Sequence, residues 1–177
     1  GGSYGEECAF PRRRILRGSG ARAATLLASM GIHTSLHTVV GRENMQQAIS
    51  LASHLGYELH PTQSDTTIWF RYRFPLGKAE IYPSPADLVE SSSVSTDRAL
   101  VFGMVEGRPK VLAKMAVYDP QDGSASRSFS ENGSFAEVLA QVVSWSEGKA
   151  LTGLNEPEEI VDALLEPRHV GRAQRRR

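Results

Sequence analysis

The sequence predicts an α/β fold, a mostly parallel sheet flanked by helices, because extended apolar runs alternate with helical patterns. The runs at residues 99–104 and 114–118 have the near-continuous hydrophobic character of strands covered on both faces. Residues 32–40 contain several β-branched side chains and end at Gly41, which predicts another strand. With 177 residues, 40% of them hydrophobic, the chain can build one packed domain, which we expect over residues 1–166.

A glycine turn leads into the first predicted helix. Gly18, Ser19 and Gly20 precede an apolar helical pattern that includes Leu26 and Met30. Glycines permit a sharp turn, remove Cβ atoms that would block a ligand, and expose the unpaired N–H groups of a helix start to a polar or anionic ligand. A tight turn that packs the helix against a sheet explains the same residues, so both interpretations stay open.

A second helix and a hairpin are predicted from periodicity. Apolar side chains from Met45 to Leu55 form one helical stripe, which Gly56 ends. Alternation over residues 66–74, a Pro-Leu-Gly-Lys turn and a second short run predict a β-hairpin at about residues 66–83. This hairpin either covers the edge of the core or forms a lid over a ligand, and Trp69 fits both roles.

Capping patterns predict two helices in the last third of the chain. Ser134 and Glu137 have the spacing of a capping box before an apolar helical pattern, although residues 142–145 also suit a short buried strand. Asn155 and Glu158 repeat the pattern before an amphipathic helix that Pro167 ends. Residues 167–177 are basic and are predicted to be a disordered tail.

Composition excludes several classes of function. Twenty basic and twenty acidic residues give no net field for nucleic acid or an anionic membrane, so neither is an expected partner. Cys8 is the sole cysteine, and no apolar run reaches a membrane-spanning length, so we expect a cytoplasmic protein. His33 and His37 lie in a strand-like run without further ligands, and no metal site is predicted there. Asp119 starts a turn after a strand, where it would cap the turn or contact a ligand.

A dinucleotide-binding protein is the alternative. Gly18, Gly20 and Ala23 match the spacing of the dinucleotide fingerprint, and Glu43 follows at a suitable distance for a ribose-binding acid. That fingerprint requires a strand directly before it. The apolar pair Ile15 and Leu16 is short for a buried strand, and residues 1–7 read as a loop that follows a strand.

Two segments together resemble the substrate-binding portion of ribokinase-like, PfkB-type carbohydrate kinases. The first is Gly-Ser-Gly-Ala-Arg-Ala-Ala at residues 18–24, followed by a helix, a strand ending in Val-Val-Gly and the hairpin. The second, Ser-Glu-Gly-Lys-Ala-Leu-Thr-Gly at residues 146–153, is similar to the Glu-Ala-x-x-Leu-Thr-Gly segment of that family. The resemblance implies a ribokinase-like fold with a hairpin lid and a sugar or nucleoside as the small-molecule substrate. It also implies ATP and magnesium as cofactors, with Glu147 organising magnesium and phosphate beside Ser144.

The resemblance further implies a substrate site, whose expected members are Gly18, Ser19, Gly20, Arg22, Glu7 and Trp69. Arg22 stands where the family has a sugar-contacting asparagine, and a guanidinium there would favour a carboxylate or phosphate on the ligand. No catalytic residue is predicted, because the Gly-Ala-Gly-Asp segment that supplies the family's base and anion hole is not present in these residues. We therefore expect an incomplete nucleotide half, truncated before that segment, and no activity of this chain alone. Because the sheet would have uncovered edges, a homodimer is one of the partner arrangements that the sequence allows.

Overall fold

A computed structural model describes residues 1–74, 77–83, 93–121 and 126–165. The bounds of its helices and strands follow in chain order. They are β1 (Gly5–Cys8), β2 (Arg13–Leu16), α1 (Ser19–Ser29), β3 (Ser35–Gly41), a 3₁₀ turn (Arg42–Asn44), α2 (Met45–Leu55), β4 (Glu58–Ser64), β5 (Trp69–Tyr72), β6 (Glu80–Tyr82), β7 (Val94–Phe102), β8 (Val111–Asp119), β9 (Phe135–Gln141), α3 (Trp145–Thr152) and α4 (Pro157–Leu165).

Parallel sheets with flanking helices confirm the predicted α/β class. In the described part of the chain, β3 pairs with β4, and β7, β8 and β9 form a second parallel sheet. The sequence analysis expected a single mostly parallel sheet, whereas no backbone hydrogen bonds between the described strands join the β3–β4 sheet to the β7–β8–β9 sheet. Gly1 lies between them, because its amino group donates to the His37 carbonyl of β3 and a Cβ added to it would lie 3.0 Å from a ring carbon of Phe102 of β7.

Helices α1 and α2 pack on the β3–β4 sheet through small and apolar side chains. Small alanines on the buried helix faces let the helices approach the strands closely, and α2 ends at Gly56, whose φ of 80° suits glycine. The buried side chains of this layer are Ala21, Ala24, Leu36, Ala52 and Tyr57, with Leu16, Val40 and Ala48 beside them.

A four-stranded sheet forms the lid, in the order β2, β1, β5, β6. Strands β5 and β6 pair antiparallel, which confirms the hairpin expected at residues 66–83; residues 75–76 of its turn lie outside the described residues. The expectation of a loop over residues 1–7 was wrong for residues 5–7, because β1 pairs with β2 on one side and β5 on the other. Residues 1–4 lie in neither a helix nor a strand. Although β2 contains only two apolar residues, its hydrogen bonds to β1 hold it as a strand.

The helix expected after Ser134 is instead strand β9. Its backbone groups pair with β8 in parallel register, from Phe135 opposite Leu112 to Gln141 opposite Tyr118. The Ser134 hydroxyl accepts the Val111 N–H and donates to Asn132, so it joins two loops and does not cap a helix. The tertiary pairing outweighs the local capping pattern.

Two short helices follow β9 and pack on each other. Gly148 of α3 lies against Ile160 of α4 so closely that an added Cβ would lie 2.8 Å from an Ile160 methyl group. Helix α4 confirms the helix expected after Asn155, and the tail at residues 167–177 lies outside the described residues. No helix in the described part of the chain is long and apolar enough to cross a membrane.

Candidate functional site

The loops after β7, β8 and β9 and the start of α1 meet at one edge of the parallel strands. Strands β7, β8 and β9 run in the same direction, so the loops after them begin at a shared edge. Gly1 contacts both Phe102, the last residue of β7, and Gly20 of the glycine turn, which places the start of α1 at that edge. Ligands of α/β proteins bind at the carboxyl ends of parallel strands.

The glycine turn packs against the first two residues of the chain. Gly18 has φ 92°, and an added Cβ would lie 2.5 Å from the Gly2 carbonyl oxygen. A Cβ on Gly20 would lie 2.6 Å from the Gly1 carbonyl carbon, and the Gly20 N–H donates to the Gly2 carbonyl at 3.0 Å. Backbone therefore occupies the space that the glycines leave, which favours the packing interpretation of Gly18 and Gly20.

One face of the lid turns toward the start of α1. Alternation along β1 places Tyr4 and Glu6 on this face, together with Phe70 of β5. The Arg22 guanidinium of α1 donates to the Glu6 carboxylate at 2.5 Å, and the rings of Tyr4 and Phe70 lie 4.4 Å apart. Ser19 Oγ is buried beside the Tyr4 phenol, without a hydrogen bond of good geometry. We call Tyr4, Glu6 and Phe70 the inner lid face.

Glu7 and Trp69 lie on the opposite, outer face of the lid. The Tyr82 hydroxyl donates to Glu7, and this hydrogen bond lowers the pKa of the Glu7 carboxyl, as does nearby Arg71. The Arg14 guanidinium stacks over the Trp69 ring at 4.0 Å. The structure therefore separates these two predicted substrate residues from Arg22 by the thickness of the lid sheet.

Glu106, in the loop after β7, is a buried carboxylate that the sequence analysis missed. It is 6% exposed, its Oε2 has no hydrogen-bond partner, and a Cβ on Gly2 would lie 3.8 Å from its Oε1. Burial raises the pKa of this carboxyl, and hydrogen bonds from the backbone N–H groups of Glu106 and Val105 partly oppose that rise. Because unpaired buried charge is costly, such a group is a candidate for ligand binding.

Ser144 and Glu147 form a complete capping box at the start of α3. The Ser144 N–H donates to Glu147 Oε2 at 2.7 Å, and the Glu147 N–H donates to Ser144 Oγ at 3.4 Å. Glu147 is only 7% exposed. This arrangement gives both side chains a structural role at the helix N-terminus. Their association with magnesium and nucleotide stays a prediction.

The described residues contain no cluster of three metal-ligating side chains. No three His, Cys, Asp or Glu side chains come together as ligands in residues 1–74, 77–83, 93–121 and 126–165. Asp119 Oδ2 accepts a hydrogen bond from the Gln121 side chain at 3.0 Å, which is a turn contact. The His33 Nε2–H donates to the Glu58 carboxylate at 3.2 Å, on the exposed surface beside the β3–β4 sheet.

The dinucleotide arrangement is not formed by the described strands around α1. The fingerprint needs a parallel βαβ unit within one sheet, whereas β2 belongs to the lid and β3 pairs with β4. Glu43 Oε1 accepts the Thr67 backbone N–H at 2.8 Å, so the expected ribose-binding acid instead ties the 3₁₀ turn to the start of the lid hairpin.

Comparisons with known proteins bear on the fold. No protein-family profile and no curated protein matches the chain. One similar solved structure is a pyrophosphate-dependent kinase in the ribokinase family, complexed with a pyrophosphate analog and myo-inositol. It has a TM-score of 0.50 and 17% identity over 90% of this chain. Another is a pyrophosphate-dependent myo-inositol-1 kinase converted into a myo-inositol-3 kinase, with a TM-score of 0.48 and 15% identity over 90% of this chain. The chain spans 64% of the length of each. At such identity the first likeness concerns architecture alone: this chain has a ribokinase-like α/β fold.

Proposed function

We propose that the chain is the substrate-binding part of a PfkB-type carbohydrate kinase and binds a neutral polyhydroxylated molecule, a sugar, nucleoside or cyclitol. The observation that carries the proposal is the inner lid face turned toward α1, with the Glu6–Arg22 pair between them. Myo-inositol in the similar ribokinase-family structure belongs to this chemical class. The proposed site lies between the inner lid face, Ser19 and Glu106.

Charge at the site favours a neutral ligand over an anion. Arg22 was expected to attract a carboxylate or phosphate, but its guanidinium is already neutralised by Glu6. Glu106 adds a second acidic side chain next to Gly2. Carboxylates accept hydrogen bonds from hydroxyl groups and repel anions, so a phosphorylated ligand would lose affinity here.

We infer that this stretch of chain alone does not transfer phosphate. Phosphoryl transfer needs a positioned base and groups that neutralise charge on the phosphoryl group, and the family's Gly-Ala-Gly-Asp segment is not among these residues. When bound, magnesium and ATP would supply the charge neutralisation and the phosphoryl group. Glu147 is the residue of this chain that we propose faces magnesium and ATP.

Calorimetric titration tests the proposal with two adjacent glutamates. Glu6 and Glu7 are consecutive but lie on opposite lid faces, so Glu7→Gln is a matched control for Glu6→Gln. We expect myo-inositol, ribose or adenosine to bind the unaltered chain, and Glu6→Gln to weaken binding about tenfold while Glu7→Gln leaves it unchanged. A stronger loss in Glu7→Gln would assign the site to the outer face, where Glu7 and Trp69 lie. Binding of none of these compounds would reject the function.

A radiolabel assay tests whether this chain alone can transfer phosphate. With labelled ATP, or labelled pyrophosphate, and magnesium, we expect no label on any compound that binds. Label transfer that Glu106→Gln or Glu6→Gln abolishes would show that the chain is a complete enzyme and contradict this part of the proposal.

A further inference from the structure

A cavity lies on the β7–β8 sheet, near the carboxyl ends of the two strands. It has a volume of about 340 Å³, within the range of small-molecule sites. Its described lining comes from the ends of β7 and β8 and from the loops at residues 103–109 and 127–134; no residue of the lid or of α1 is part of that lining. The cavity exists because no helix is formed in the described residues of either connection, whereas a helix ordinarily covers a parallel sheet.

The floor of this cavity is apolar and its wall is basic. Val101, Tyr118 and Phe129 form the floor and belong to one buried cluster. Arg108 and Arg127 stand on the wall, and both approach the same oxygen of Glu131, at 3.9 and 2.8 Å. Among the described lining residues, two guanidinium groups thus share one carboxylate, so this part of the lining has an excess of positive charge beside apolar surface.

The wall is held in place by hydrogen bonds that do not involve the arginine side chains. The Asn132 amide donates to the Pro109 carbonyl at 2.9 Å, and its Oδ1 accepts from the Ser134 hydroxyl at 2.7 Å. The Tyr118 hydroxyl donates to the Arg127 carbonyl at 2.9 Å. These contacts join the two loops to each other and to β8, so the cavity does not depend on the ion pairs.

We propose that this cavity binds a small monoanionic carboxylate with a compact apolar body. The apolar part would pack on Tyr118 and Phe129, and the carboxylate would accept hydrogen bonds from Arg108 and Arg127 in place of Glu131. The loose 3.9 Å contact of Arg108 leaves its donors available for such a ligand. Glu131 competes with the ligand for both guanidinium groups.

Calorimetry with benzoate and its neutral analogue benzamide tests the proposal. We expect benzoate to bind at least tenfold more tightly than benzamide. Arg108→Met and Arg127→Met should each weaken benzoate binding about tenfold, and Arg98→Met, an exposed arginine of β7 outside the cavity, should not. Glu131→Gln should strengthen benzoate binding about three- to tenfold, because it removes the competing carboxylate.

Several results would overturn the proposal. Equal binding of benzoate and benzamide, absence of benzoate binding, or weaker binding in Glu131→Gln would each contradict it. Thermal melts establish that the variants are folded, and Arg127→Lys replaces Arg127→Met if the latter is not. Benzoate and myo-inositol are titrated separately, so that the cavity and the proposed lid site are each tested alone. Binding of myo-inositol without binding of benzoate would reject the cavity proposal only, and the reverse result would reject the lid site only.

Discussion

Glu106→Gln should stabilise the protein at neutral pH and weaken ligand binding. Glu106 is 6% exposed and its Oε2 is unpartnered. A buried group without a partner costs about 1 to 3 kcal/mol, and more when charged. In a domain of this size 1 kcal/mol corresponds to about 2 to 4 °C, so we expect a melting temperature higher by about 2 to 12 °C at pH 7 to 8.

The sign of the pH dependence follows from the raised pKa of Glu106. A carboxyl group whose pKa is higher in the folded than in the unfolded protein contributes its full stability below the unfolded value, 4.5. That contribution is lost as pH rises through the folded pKa. The melting-temperature advantage of Glu106→Gln should therefore shrink toward zero as the pH falls to about 4.

Thermal melts from pH 4 to pH 8 measure this difference. Glu137→Gln is the control, because Glu137 is exposed on β9, and it should change the melting temperature by less than about 2 °C at any pH. A Glu106→Gln variant less stable than the parent at pH 7, or an advantage that grows at low pH, would refute the reasoning and show that the carboxylate has a stabilising partner.

Three further perturbations have expected outcomes from local geometry. Glu147→Ala should remove one of the two hydrogen bonds of the capping box and lower the free energy of unfolding by about 1 kcal/mol, measured by chemical denaturation. Glu147→Gln should keep that hydrogen bond and the stability. An equal loss in both variants would mean that the charge of Glu147, and not its hydrogen bond to Ser144, stabilises the helix. Gly18→Ala should cost clearly more than Gly31→Ala in the same assay, because both glycines have positive φ but only Gly18 meets backbone; equal costs would contradict the packing of Gly18 on Gly2. If magnesium-dependent nucleotide binding is detected, Glu147→Gln should abolish it without a loss of stability, and unaltered binding would leave the glutamate only its structural role.

The fold was largely predictable because its elements carry local signals. The stripe on α2 and the glycine after it follow from burial of one helix face. The apolar run of β8 predicted a strand, but the expectation that both its faces are covered was wrong, because Met115 is 48% and Val117 37% exposed on one face. β9 was predicted as a helix because Ser134 and Glu137 mimic a capping box. Only the pairing with β8, which no local pattern shows, decides in favour of the strand.

The arrangement of the lid beside α1 was predictable in part. The sequence placed the glycine turn, Arg22 and the lid hairpin near one another, but not which lid face turns inward. Adjacent strand residues such as Glu6 and Glu7 point to opposite faces of the sheet. A shift of one residue in the strand register would exchange the faces on which they lie, and the sequence does not fix that register. Glu106 carried no motif at all. Its significance arises from burial at the edge of the strands, a property of the tertiary structure.

NMR titration can show whether a neutral polyhydroxylated ligand binds between the inner lid face and Glu106. Backbone amide shifts are recorded during titration with myo-inositol, ribose and adenosine. For the compound that binds, we expect saturable shifts of Glu6, Phe70 and Glu106, with little change on the exposed surface of β9. Shifts confined to other surfaces, or no saturable shift with any of the three compounds, would contradict this expectation.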